Sequence, residues 1–278
     1  LWNFDPLGNG CQSLLGLSAC DRTCRLSLQH DPLPQFRSNS RENNLIYSGP
    51  MENVRFEINE RLGDTIGEVA YRRIRSHIVN GQLLPDHKLK LDRMREVYGA
   101  SVTTLREILN RLAVEELVTA EGQRGFRVAG VSGAEFHELA ALRILLETHA
   151  LRTSIAQGDI EWEASVVAAH YKLSVAERDL MAAKQGGVDQ WVSCDWGFHH
   201  ATISACGQPV LMKTHSSIFD RFARYHMLAK NFRGQGVVDD HTALRDLVIG
   251  RDAKGAVALL TRHIQSGVAH VMGAGHFD

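Results

Sequence analysis

The chain has 278 residues, 44% hydrophobic and 23% charged, with a formal net charge of −1. This is the composition of a globular protein with room for two domains, and any nucleic-acid role must rest on a local basic patch. No apolar run approaches the roughly 20 residues of a membrane span. An odd set of cysteines (Cys11, Cys20, Cys24, Cys194 and Cys206) argues against a disulfide framework and for the reducing cytoplasm.

Residues 1–50 carry Gly, Pro, Asn and Ser throughout, without a sustained period of 3.6 or 2. Asp5, Pro6, Gly8 and Gly10 break any secretory signal core. The Cys20/Cys24 spacing has no second Cys/His pair at zinc-finger distance. Met51 resembles a natural start, and 1–50 is expected to be a disordered or upstream tail.

From Thr65 the pattern changes. "TIGEVAYRRIRSHIVNG" places Ile66, Val69, Ala70, Ile74 and Ile78 on one helical face and stops at Asn80-Gly81. "LLPDHKLK" is expected to be a turn. "LDRMREVYG" is a short helix with Asp92 as N-cap and Gly99 at its end. "SVTTLREILNRLAVEEL" begins at an N-capping Ser101 and turns Leu105, Ile108, Leu109 and Leu112 inward. "LVTAEGQRGFRVA" reads as a hairpin around Glu121–Gly125. The order predicts a winged helix-turn-helix over 51–130.

Residues 65–130 hold 11 Lys/Arg against 8 Asp/Glu, so a local positive balance sits in a nearly neutral protein. A recognition helix enters the major groove of double-stranded DNA by its N-terminus, where it would present Ser101, Thr103, Thr104 and Arg106. Arg106 can fork onto a guanine edge, whereas the hydroxyls suit phosphates. Arg124, beside two glycines at the hairpin tip, suits the minor groove or the backbone.

"GQLLPDHKLK…YGASVTTLREILNRLAVEELVTAEGQRGFRVA" resembles the DNA-binding domain of the GntR family of bacterial repressors. Gly99, Ser101, Arg106, Glu107 and Leu109 match its pattern. Val102 stands where the family has an arginine, and Asp86 where it has a turn glycine. The first departure removes one DNA contact and points to an altered operator.

From Ser132 onward every period is helical. Helices are expected near 132–157, 160–184, 189–206, 209–231, 238–250 and 252–271, as an all-α bundle over 131–278. The fold class is thus mainly α.

"WVSCDWGFHHAT" sets Asp195 and His199 one helical turn apart, which by itself fits a solvated face, a catalytic pair or half of a metal site. His241 near one helix start and His263 in the last helix complete an N/O set that suits zinc, nickel or another late first-row divalent ion. "RILLE", "DWGFHHATISACG", "DDHTALRDLVIGRD" and "LLTRHI" resemble, in order, the ligand-binding domain of the FadR branch of the GntR family. That resemblance implies that Asp195, His199, His241 and His263 are the metal ligands. "GDIEWEASVVAAHYKLS" and "FDRFARYHM" are most similar to the carbon-starvation-induced regulators of that branch, whose relatives respond to small dicarboxylates.

The resemblance also makes Arg143 an effector-facing residue, against the simpler reading of a structural pair with Glu147. Arg221, Arg224 and Tyr225 are further candidates for a small carboxylate effector. The function implied is a homodimeric, ligand-responsive repressor. The alternative is a metal hydrolase with an accessory winged helix, but HExxH or an equivalent motif is missing and the winged helix would have no purpose in it.

Overall fold

This computed structural model describes residues 63–182, 187–229, 232–275 and 277. The expected tail over 1–50, its three cysteines and the start at Met51 lie outside the described residues.

Helix α1 (Ile66–Val79) opens with a capping box, in which Thr65 Oγ1 accepts from Glu68 N at 3.2 Å and Glu68 Oε2 accepts from Thr65 N at 2.9 Å. Ala70, Ile74 and Ile78 are buried as the period requires, and Val69 is half-buried. Ile66 is instead 69% exposed, because the first residue of the helix precedes the stretch that packs. Gly67 lets α1 lie close on the next helices, since a Cβ there would come within 3.3 Å of Thr104 Cγ2.

Strand β1 (Lys88–Leu89) corrects the expectation of a plain turn: Leu89 is buried, and it pairs with Phe126. Asp86, just before it, has φ of 60°. That left-handed conformation is one that favours glycine, the residue expected there from the resemblance. Helix α2 (Leu91–Tyr98) has Lys90 at its cap, two residues before the expected Asp92. Asp92 therefore lies in the first turn, where its carboxylate still meets the positive end of the helix dipole. Gly99 closes α2 at φ 67°.

Helix α3 (Val102–Val114) is capped by Ser101, whose Oγ accepts from Thr104 N at 3.1 Å. Strands β2 (Val118–Ala120) and β3 (Phe126–Val128) flank a 3-10 turn at Gly122–Arg124, and the antiparallel sheet runs β1-β3-β2. This is a winged helix-turn-helix.

The rest is helical: α4 (Gly133–Gln157), α5 (Ile160–Met181), α6 (Gly187–Ile203), α7 (Pro209–Ala229), α8 (Gln235–Ile249) and α9 (Ala253–Gly273). Asp159 caps α5 through Trp162 N, and Trp162 Nε1 donates to Ala201 O at 2.8 Å, fixing α5 against the end of α6. No helix among the described residues is long and apolar enough to cross a membrane.

Two hydrophobic cores result, one in the winged helix and one in the bundle. The division is not clean along the chain. Phe219 and Ala223 of α7 are buried in the winged-helix core, and Val192 and Trp196 of α6 pack against it. The ion pair of Arg75 with Asp220 ties α1 to α7 at the same place.

Candidate metal centre

Helical geometry brings Asp195 and His199 to one face of α6, and α8, packed on α5, and α9, packed on α4 and α8, deliver His241 and His263. One ligand atom from each of the four lies within 4.8 Å of the others. Asp195 Oδ1 is 3.1 Å from His241 Nε2 and 3.8 Å from His199 Nε2. All three histidines are buried.

Each imidazole is held from behind by a carboxylate. Glu147 Oε2 lies 3.1 Å from His199 Nδ1, Glu177 Oε1 2.6 Å from His241 Nδ1, and Asp240 Oδ2 3.2 Å from His263 Nδ1. Such partners orient histidine ligands and raise their basicity. They occupy the Nδ1 atoms, while Nε2 of His199 and of His241 are buried without a hydrogen-bond partner of good geometry. A closed ring of buried nitrogens facing one carboxylate is costly unless something joins them. The residues fit a late first-row divalent ion.

The electrostatics agree. Burial opposes the charge on Asp195, yet His199, His241 and His263 hold its carboxyl well below the usual range. Burial would lower His241, but Asp195 and Glu177 push it up to about 9. Burial, with the charges of His241, His199 and Arg233, pulls His263 down to about 3. Glu147 is also kept well below the ordinary carboxylate range in spite of burial, by Arg143, His199 and His215.

Asp195 and His263 also line a cavity with Arg143, Trp191, Phe219, Phe222, Ala223, His226 and Arg233. Its volume is about 30 Å³, space for a water or two, so a larger ligand must displace side chains. Arg143 is indeed paired with Glu147, Nε to Oε1 at 2.7 Å, and its guanidinium lies 4.4 Å and 4.3 Å from the Phe219 and Phe222 ring centres. The structural pair with Glu147 is therefore present, and the Nη2 of Arg143 is left buried and unpartnered. Trp191 Nε1 is a second buried donor without a partner.

The other three effector candidates stand elsewhere. Arg221 pairs with Glu116 at 2.7 Å and Glu135 at 2.6 Å, and Arg224 donates to Ala129 O at 2.6 Å. Tyr225 donates to Glu135 Oε2 at 2.7 Å and accepts from Ser132 N at 3.2 Å. On α7 the positions 219, 222, 223 and 226 form the face turned to the cavity, and 221, 224 and 225 fall on the neighbouring face. These three join α7 to the segment that links the winged helix to the bundle. Trp191, His226 and Arg233 were the residues sequence reasoning missed. Trp191 had a signal, one turn before Asp195 on the same face.

In the winged helix, Thr103 and Arg106 are exposed on α3, and Arg124 is exposed at the wing tip. Ser101 is exposed, with its hydroxyl engaged by Thr104 N and Thr104 Oγ1. Thr104 is half-buried and packs toward Gly67, which leaves it the least accessible of the five.

Comparison with known proteins gives the same division. Residues 66–128 match the gntR family of bacterial regulatory proteins, and 138–266 match the FCD domain. BphR of Paraburkholderia xenovorans (strain LB400), an uncharacterised HTH-type transcriptional regulator, is 36% identical over 206 residues, 73% of this chain and 84% of its own. The HTH-type transcriptional repressor GlaR of Escherichia coli (strain K12) is 32% identical over 200 residues, 70% of this chain and 90% of its own. Among solved structures, E. coli McbR/YncC superposes with a TM-score of 0.66 at 18% identity, over 77% of this chain and 100% of that one. A GntR regulator of Rhodococcus sp. RHA1 gives 0.62 at 20% identity, over 73% and 96%. The chain belongs to the GntR family of bacterial regulators, DNA-binding transcription factors, with an FCD effector-binding domain as its helical half.

Proposed function

We propose that this regulator is a homodimeric, cytoplasmic repressor that holds one divalent ion, zinc by preference, through Asp195, His199, His241 and His263. Its effector is a small carboxylate, and its operator contacts are Ser101, Thr103, Thr104, Arg106 and Arg124. The observation that carries the effector reading is the cavity's unpartnered donors. Arg143 Nη2 and Trp191 Nε1 are buried beside Asp195 and His263, and only an acceptor-rich ligand satisfies them. A bound ion would supply an open position for a carboxylate or hydroxy-acid oxygen. The guanidinium would take the acid by charge-assisted hydrogen bonds and reject neutral analogues. The 32% identity to a protein named a repressor favours release of DNA on effector binding.

The test is calorimetric titration of four- to six-carbon dicarboxylates and 2-hydroxy acids into wild type and Arg143→Ala, with operator binding followed at rising ligand. A diacid should bind wild type and release the operator, and Arg143→Ala or chelation should abolish both effects. Binding of a neutral sugar instead, or equal binding of acids without metal, overturns the effector reading.

A further inference from the structure

Helix α4 is apolar on two sides. Its inner side buries Phe136, Leu139, Ala140 and Leu151 in the bundle core. Its outer side sets Glu138, Leu142, Leu145, His149 and Arg152 in one line, at the alternating spacing of four and three by which one helix lies along another. Leu145 is 65% exposed and Leu142 39%. Beside this line a groove of about 280 Å³ runs between α4 and α9, lined by Ala140, Ala141, Ile144, Val268 and Ala269. Near the C-terminal end of the line, Gln208 Nε2 lies 3.1 Å from His149 Nε2, which brings up the start of α7 with Val210, 81% exposed. A single exposed leucine is ordinary, whereas an apolar patch rimmed by polar residues marks a contact.

The charges along the line say what covers it. Glu138 stands one turn before the leucines, and His149 and Arg152 follow them, all three exposed. A second α4 laid antiparallel, about a two-fold axis between residues 143 and 144, puts Leu142 against the partner's Leu145. It also puts Glu138 against the partner's His149, within a turn of the partner's Arg152. Each contact occurs twice, as a two-fold interface requires. A parallel arrangement would instead set Glu138 against the partner's Glu138.

The outer side of α5 also exposes Ile160, Val167 and Tyr171, but place in the chain selects α4. Residues 129–132 alone join β3 to α4, and Arg224 and Tyr225 hold that link to α7. A two-fold on α4 therefore fixes the two reading heads relative to each other. The two Gly133 positions would lie about 32 Å apart along the helix axes, close to the roughly 34 Å of one turn of B-DNA.

We propose that α4 is the homodimer seam: two copies of this chain join antiparallel along Leu142 and Leu145, with Glu138 and Arg152 pairing across the axis. The inference rests on the homodimer reading above and adds to it the surface and the register.

The test is sedimentation velocity of the full-length protein over a concentration series. Wild type should sediment as a dimer. Leu145→Glu should raise its dissociation constant at least about hundredfold with the helical circular dichroism unchanged, and Tyr171→Glu on α5 should leave it within about twofold. Glu138→Arg and Arg152→Glu should each raise it at least about fivefold, and the two together should return it to within about twofold of wild type. Misfolding would not be rescued by exchanging the two charges, so the pair decides even where Leu145→Glu fails to fold. Monomeric wild type overturns the homodimer reading and the seam together. A dimer that survives Leu145→Glu, or that Tyr171→Glu dissociates instead, overturns the seam while the homodimer reading stands. Failure of the double variant to recover overturns the antiparallel register.

Discussion

The guanidinium of Arg143 lies 4.4 Å from the centre of the Phe219 ring, and Phe219 is itself buried in the core of the winged helix. The next residue, Asp220, pairs with Arg75 of α1, which also contacts Glu115 at 3.3 Å. One turn earlier, His215 Nε2 lies 2.8 Å from Glu147, the carboxylate behind His199. A change at Arg143 or Glu147 thus meets α7 directly, and α7 meets the DNA-binding half through close-packed side chains.

Phe219→Leu should therefore separate sensing from response. A tenfold effect of effector on operator affinity corresponds to a coupling of about 1.4 kcal/mol. Because Phe219 also lines the cavity, the variant is compared at saturating acid, where the operator effect should still fall below about threefold, at a stability cost of about 1–2 kcal/mol. Fluorescence anisotropy of labelled operator with and without acid measures this. An unchanged operator response would exclude Phe219 as the link.

Metal removal should loosen the bundle. Elemental analysis of the purified protein should find one divalent ion per chain. Chelation should lower Tm by at least about 4 °C, since each kcal/mol shifts a domain of this size by about 2–4 °C. His241→Ala should do the same and leave Glu177 facing an emptied position. Metal-free protein whose melting is indifferent to added zinc or nickel would contradict the site.

Proton release gives an independent check with a definite sign. Without metal, the neighbouring carboxylates raise His241 from its ordinary value to about 9, so its charged form stabilises the fold below about pH 6.5 and that contribution is lost as pH rises through about 9. A ligand histidine must be neutral. Zinc uptake at about pH 7 should therefore expel close to one proton from His241, and affinity should rise with pH until about 9. Calorimetry in two buffers of different ionisation enthalpy counts the proton. Equal heats in both buffers at neutral pH would refute the assignment.

On the DNA side, Arg106→Ala should weaken specific operator binding by about 1–3 kcal/mol without loss of fold, because the side chain is exposed on α3. Arg124→Ala should weaken all sequences more evenly. Anisotropy against specific and scrambled duplexes distinguishes them. Operator preference unaffected by Arg106→Ala would remove it from the reading surface.

The sequence by itself determined the elements and the first half of the site. Local periodicity, the Ser101 and Gly99 caps and the glycine punctuation specify helices and hairpin, because these signals act within one or two turns. Asp195 and His199 were legible for the same reason, as neighbours on one face. What only the tertiary structure decided is long-range. Glu147, Glu177 and Asp240 come from three helices to stand behind three histidines, and no spacing announces that. Helical period separates the faces of α7 but does not say which neighbour each face meets. That is why Arg221, Arg224 and Tyr225 were read as effector residues when they secure the linking segment, whereas Arg233, outside any helix, lines the cavity. The short strand Lys88–Leu89 forms only because β3 offers it a partner. Contacts between elements fix where a side chain's unsatisfied polar groups end up, and those groups define the site.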